Sequence, residues 1–254
     1  MNAPDPRAPT GATATAPPIP PTPPPAPPAA DRSPRRGRAR RAGWLTVTVL
    51  AVLTALLTGR YLTLDPEVFL DEQRAVYLAN RIPLVLHVGG GVLAILLGPW
   101  QFLPRLRSRR PALHRVTGRI YLAAVFVTGV GGLLLAPKGL VGPVAPIGFG
   151  TLAVLLLLSS TLAWTTARRG DHVRHRAWAT RSFALIMAAA TLRIWLPSMA
   201  AAGVPFEQAY ATAAWTCWLI NLVVAEHLLA RIPGPPPTRR PARRAGDHAA
   251  GTAT

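Results

Sequence analysis

Cysteine and lysine are almost missing: Cys217 and Lys138 are the only ones among 254 residues. A single cysteine excludes an intrachain disulfide and any zinc or iron–sulfur site built on cysteines. Acid is scarce too, with 10 Asp and Glu against 28 Lys and Arg and a formal net charge of +18. In a soluble chain that imbalance would point to nucleic acid. Here the arginines crowd the two ends and two interior loops, and the stretches between them carry almost no charge. Such segregation is the charge map of a membrane protein and excludes a basic nucleic-acid groove. The lack of lysine beside abundant Arg, Ala, Pro and Gly reads as the coding bias of a GC-rich bacterial genome. The expected location is therefore a bacterial cell membrane, crossed several times.

A bilayer core needs roughly 20 apolar residues per helix. Six stretches meet that length: 44–64, 82–103, 118–136, 144–166, 178–201 and 210–230. The expected fold is all-α, a polytopic bundle of six transmembrane helices over residues 44–230. Gly98-Pro99 removes a backbone bond late in the second span and should kink or end it. Residues 1–43 are Pro-, Ala- and Thr-rich before turning basic, and residues 231–254 are Pro- and Arg-rich. Neither can bury a core, so both are expected to be disordered, with polyproline-II character from Ile19 to Pro28. That run suits a ligand for a partner domain or a plain solvated tail.

Topology follows from the arginines. Both tails are strongly basic, as are the loops holding Arg105, Arg107, Arg109, Arg110 and Arg115, and Arg168, Arg169, Arg174 and Arg176. With six spans these four segments share one side, which the positive-inside rule makes cytoplasmic, so the chain reads N-in and C-in. The remaining loops are acidic or nearly neutral. The first of them opens with Asp65 as an N-cap and Pro66 at a first helical position, the signature of a short helix on the outer surface.

Polar residues inside spans carry the information about function, because each must be paired or line a cavity. On the second span His87, Gly91, Ala94 and Gly98 share one helical face, and small residues there let another backbone approach. His114, Gly118, Tyr121 and Gly132 mark the third span, and Tyr210, Ala214, Cys217 and Asn221 the sixth. Arg193 is eight residues from the outer end of the fifth span, about 12 Å along a helix. It needs Glu207, the Tyr210 hydroxyl, a backbone carbonyl or a wet cavity, and with His87 and Tyr210 it forms a candidate ligand site. Glu226 is the only acid inside a span; Arg181 or Arg119 is its expected partner in a structural ion pair.

At the inner face, "LHRVTGRIY" (Leu113–Tyr121) and "DHVRHRAWATRSF" (Asp171–Phe183) each place a His-Arg pair before a span. His114, Arg115, Arg119, His175 and Arg176 are candidates for binding an anion, from a lipid phosphate to a carboxylate. His114, His172 and His175 can alternatively be read as imidazole ligands to a metal. The third reading is that the arginines only set topology and meet anionic headgroups.

These motifs in their order, from "LHVGGGVLAILLGPWQF" through "LHRVTGRIY", "RRGDHVRHRAWATRSFAL" and "TLRIW" to "FEQAY…WTCWLINLVVAE", resemble the bacterial predicted membrane proteins known as domain of unknown function 2306. The resemblance covers roughly His87 to Glu226. It implies a bacterial multispan protein and emphasises His87, His114, Arg119, His175, Arg193, Tyr210, Asn221 and Glu226, without implying an activity. Ala177-Trp178-Ala179 departs from the basic residue and Trp-Met pair expected after the second His-Arg pair.

Three readings of function stay open. One is binding or handling of a small anionic molecule or lipid through intramembrane Arg and His. Another is a b-type haem electron carrier, which needs two histidines on facing helices at one depth. The last is a structural or assembly factor acting through its tails. No hydrolase, kinase or acidic metal motif argues for an enzyme.

Overall fold

The structure, a computed structural model, describes residues 34–231, with side chains from residue 37. The expectations for the tails at 1–33 and 232–254 lie outside the described residues. Of residues 1–39 only the opening of the first helix is described; the bundle is formed within the unit that begins at Arg40.

Every regular element among the described residues is helical. In chain order the α-helices are α1 (Pro34–Gly59), α2 (Asp71–Ala79), α3 (Arg81–Gln101), α4 (Pro104–Arg109), α5 (Pro111–Leu135), α6 (Val144–Arg168), α7 (His172–Ile186), α8 (Ala188–Ala201) and α9 (Phe206–Ala230). Six helices are long and apolar enough to cross a membrane: Gly37–Thr63, Arg81–Gln101, Pro111–Lys138, Val144–Arg168, His172–Ala201 and Phe206–Ala230. The chain is a multi-pass membrane protein.

Helix boundaries differ from the apolar stretches mainly at the arginine-rich ends. The first helix starts at Pro34, ten residues before Trp44, so its opening is helical where a disordered tail is expected from sequence. Arginine and alanine are good helix formers and proline suits a first turn, so the backbone ladder runs past the end of the apolar run. The third and fifth spans likewise begin at Pro111 and His172, inside the basic loops. Pro99 does not stop α3 at once; the helix ends at Gln101.

The fifth span has a break that nothing in the sequence announces. The Ala190 N–H turns to Met187 O (3.0 Å), one residue short of its α-helical acceptor, and Met187 separates α7 from α8. The two halves then keep different company. The N-terminal half, α7, packs against α6, α9 and α3, whereas the C-terminal half, α8, packs on α9; α3 and α8 form no extended interface.

Packing follows the small residues. α3 and α5 are pressed together at Gly90 and Gly131, whose backbones touch the partner helix. The core holds Ala94, Ile95, Val125, Leu156, Phe183, Leu185 and Cys217, with Phe183 lying where a Gly98 side chain would be. α1 lends the core Ala51 and Ala55 and hydrogen-bonds Pro99 O through Trp44 Nε1 at 2.9 Å.

The loop that opens at Asp65 is helical in two pieces. Asp65 accepts a bond from Glu67 N (3.0 Å) to cap the short turn Pro66–Val68. α2 comes next and lies against α3 through Phe69, Leu84, Val88, Tyr77 and Tyr61.

Candidate functional site

His87 lies on the buried stripe of α3, between Leu84 and Gly91 at helical spacing. Leu84, Val88, Ala94 and Ile95 on that side are nearly closed off, yet His87 itself is exposed. One edge of the imidazole is fixed: Nδ1–H donates to Thr128 O (3.0 Å), while Thr128 Oγ1 donates to His87 O (2.7 Å). That pairing leaves Nε2 with its lone pair free, an acceptor held in one orientation. Gly131 and Gly132 of α5 lie against the His87 backbone and ring, which is why this side of the residue is so closely held.

Arg193 of α8 shares the same level. Its guanidinium is in electrostatic range of His87 and of the Tyr61 and Tyr77 hydroxyls. Nη1 donates to Ala189 O (2.9 Å), one turn back on the same helix, and among the described residues no carboxylate pairs with it. Of the acceptors expected from sequence, a backbone carbonyl is the one used; it occupies one of five N–H donors.

The roof of this cluster comes from residues that the sequence did not single out. Gln73 of α2 is buried and accepts a bond from Tyr77 OH at 2.6 Å, with Tyr210 in the same neighbourhood. Tyr61, Phe69 and Tyr77 pack ring on ring, with centroids 5.4 to 6.0 Å apart. Burial pushes the Tyr77 phenol well above its ordinary pKa; the Tyr210 and Tyr61 hydroxyls add to this and Arg193 opposes it. The one signal in the sequence was spacing: Gln73 and Tyr77 stand one turn apart on a short helix after a capped turn. Tyr210, an expected site residue, is buried beside Phe206 and Phe149.

The inner candidates separate into two groups. Tyr121 OH, Ser182 Oγ and Ser160 Oγ form a buried chain joining α5, α7 and α6, with separations of 3.0 and 2.9 Å. His114 and His175 lie seven residues inward from Tyr121 and Ser182 respectively. Two turns of parallel helix thus bring the two imidazoles to one level, in range of each other and of Arg107 and Arg115. His175 Nδ1–H donates to Ala163 O (2.8 Å), while His114 Nδ1 is buried without a partner. Arg115, Arg119, His172 and Arg176 are exposed. Among the described residues, no three of His, Cys, Asp and Glu gather closely enough to hold a metal. For haem, His87 stands at the opposite end of the bundle from His114 and His175, so only the latter two share a depth.

Glu226 is held by Arg181 through two bonds, Nε to Oε1 at 2.6 Å and Nη2 to Oε2 at 2.9 Å. The carboxylate side chain is 52 % exposed, so the pair sits at the rim of the bundle. Arg119 is on α5, which shares no extended interface with α9. Asn221 receives a bond from Thr191 Oγ1 at 3.0 Å and ties α9 to the start of α8.

No curated protein and no solved structure matches the chain. A family described as "Predicted membrane protein (DUF2306)" matches residues 84–229. That segment holds His87, Arg193, Tyr210 and the Arg181–Glu226 pair, and excludes the roof residues Gln73 and Tyr77. With more than half of its length matched, the chain belongs to the DUF2306 family of predicted membrane proteins.

Proposed function

We propose that this protein binds a small molecule bearing an anionic or carbonyl oxygen in the outer half of its bundle, between α3 and α8. Arg193 is the residue that grips the oxygen and His87 the neighbouring acceptor. The observation that carries the reading is Arg193 itself: a guanidinium inside a spanning helix, with one N–H bonded to its own helix and no carboxylate partner among the described residues. An unpaired cation in a membrane is costly, and a ligand that meets it recovers that cost. The free Nε2 of His87 suits a hydroxyl or protonated acid on the same ligand. In this reading the membrane is a bacterial cell membrane and the arginine-rich ends, with both tails, lie in the cytoplasm. Their exposed arginines meet anionic headgroups there.

The test uses benzoate, a small aromatic carboxylate. Saturable thermal stabilisation of the purified protein is expected, weakened about tenfold or more in Arg193→Gln and partly kept in Arg193→Lys. Equal responses of wild type and Arg193→Gln refute the reading. Access is tested separately: in a Cys217→Ser background, His87→Cys should react with a small impermeant thiol reagent added from the outer side, while Ile95→Cys stays protected.

A further inference from the structure

Where α6, α7 and α9 meet near the arginine-rich ends, a cleft of about 300 Å³, counted out to its open side, runs between Leu155, Leu158, Leu185 and Leu222. Its walls are almost wholly apolar. At its inner end stand Trp178 and Arg181, with the guanidinium 4.6 Å over the indole ring and clasped by Glu226. Leu185 and Leu222 lie one turn further into the bundle than Arg181 and Glu226 respectively. Glu226 is four residues from the end of α9, about 6 Å along the axis, at the level where headgroups begin. The cleft therefore has the polarity of a lipid: apolar inward, charged at the interface, with a tryptophan at the boundary.

We infer that this cleft holds one phospholipid whose headgroup carries both a phosphate and a primary amine. The inference is independent of the outer site, which lies at the other end of the bundle. The argument is charge complementarity. Arg181 spends Nε and Nη2 on Glu226, leaving Nη1 for a phosphate oxygen. The Glu226 carboxylate keeps lone pairs and half of its surface exposed. A guanidinium beside a carboxylate is the mirror image of a phosphate beside an ammonium. An ethanolamine headgroup satisfies both ends with hydrogen bonds. Choline has no N–H to give Glu226. A glycerol headgroup brings phosphate with no cation, so Glu226 repels it. The surrounding arginines favour anionic lipid in general, which makes preference for a zwitterion here a discriminating outcome.

The full-length protein is reconstituted with equal amounts of phosphatidylethanolamine, phosphatidylcholine and phosphatidylglycerol of one acyl composition, and the lipid retained after mild delipidation is identified by native mass spectrometry. One retained phosphatidylethanolamine is expected, favoured over phosphatidylcholine about fivefold. Glu226→Gln should bring that ratio near unity without lowering phosphatidylglycerol. Leu158→Trp, at a position 51 % exposed and therefore tolerant of size, should block the cleft and remove the retained lipid while the protein stays folded. An ethanolamine-to-choline ratio near unity in the wild type overturns the proposal. So does preferential retention of phosphatidylglycerol, or retention unchanged by Leu158→Trp.

Discussion

Three consecutive glycines in α3 separate packing from helix propensity. A Cβ on Gly89 would meet only a Leu62 methyl at 3.9 Å, an ordinary contact. On Gly90 it would lie 2.6 Å from Thr128 N and 2.7 Å from Ala124 O, both backbone atoms of α5. Reaching an ordinary separation of 3.4 Å means parting the helices by nearly 1 Å. Overpacking of this kind costs about 1–3 kcal/mol. The same movement stretches the two bonds between Thr128 and His87, each worth about 0.5–1.5 kcal/mol. Against this, alanine gains about 0.5–1 kcal/mol over glycine in a helix interior. Gly89→Ala should therefore stabilise and Gly90→Ala destabilise, with a gap of at least about 2 kcal/mol, or roughly 4 °C or more in melting temperature. Gly131→Ala, whose Cβ would lie 2.5 Å from His87 N, should behave like Gly90→Ala, and the double variant should lose less than the two singles added. Thermal unfolding in one detergent compares all four. A Gly90→Ala melting temperature at or above that of Gly89→Ala would show that α3 and α5 are not pressed together here, and the fixed geometry of His87 would fall with it.

Reporter fusions after Gly142 and after Gly170 should report opposite compartments; the same compartment for both would break the six-span topology. Ser182→Ala should cost about 1–3 kcal/mol by orphaning the Tyr121 and Ser160 hydroxyls, with Tyr121→Phe recovering part of it; equal stability of single and double variants would deny the network. A double-mutant cycle on Arg181 and Glu226 should give a coupling of about 1 kcal/mol or less, because the carboxylate is half exposed and an exposed pair is screened. A coupling of several kcal/mol would place the pair in a far less polar setting than the rim.

The six spans were legible because they rest on length and composition. Glycine at helical spacing announced that α3 approaches a neighbour closely, but not that the neighbour is α5 or that Gly90 and Gly131 make the contact. His87, Arg193 and Tyr210 stood out as polar residues inside apolar stretches, and depth pointed Glu226 to Arg181 or Arg119, of which Arg181 is the one it pairs with. The roof of the outer cluster was not legible. Gln73 and Tyr77 sit in a polar loop where a glutamine and a tyrosine carry no surprise, and only the folding of α2 onto α3 turns them inward. The Tyr121–Ser182–Ser160 chain was hidden for a related reason: serine hydroxyls in a helix can satisfy themselves on their own backbone, so sequence cannot say which reach across.

The least legible feature is also the one that the proposed ligand site depends on. Ile186-Met187-Ala188 contains no proline or glycine, and local propensity gives the fifth span no reason to break. The reason is tertiary. Ser182 and His175 fasten α7 to α6 by hydrogen bonds, while Thr191 fastens the start of α8 to Asn221 on α9. A straight helix would have to serve both sets of partners along one line. The change of acceptor at Ala190 lets each half follow its own. Because α8 then keeps to α9, it forms no extended interface with α3, and the space between them at His87 and Arg193 is the proposed opening. A variant that mends the break tests this chain of cause. Thr191→Val removes the tie to Asn221 while keeping a side chain of similar size, so the start of α8 is loosened from α9. If the opening exists because α8 is held aside, His87→Cys should become less reactive in the Thr191→Val background. Unchanged reactivity would mean that the opening at His87 owes nothing to the break.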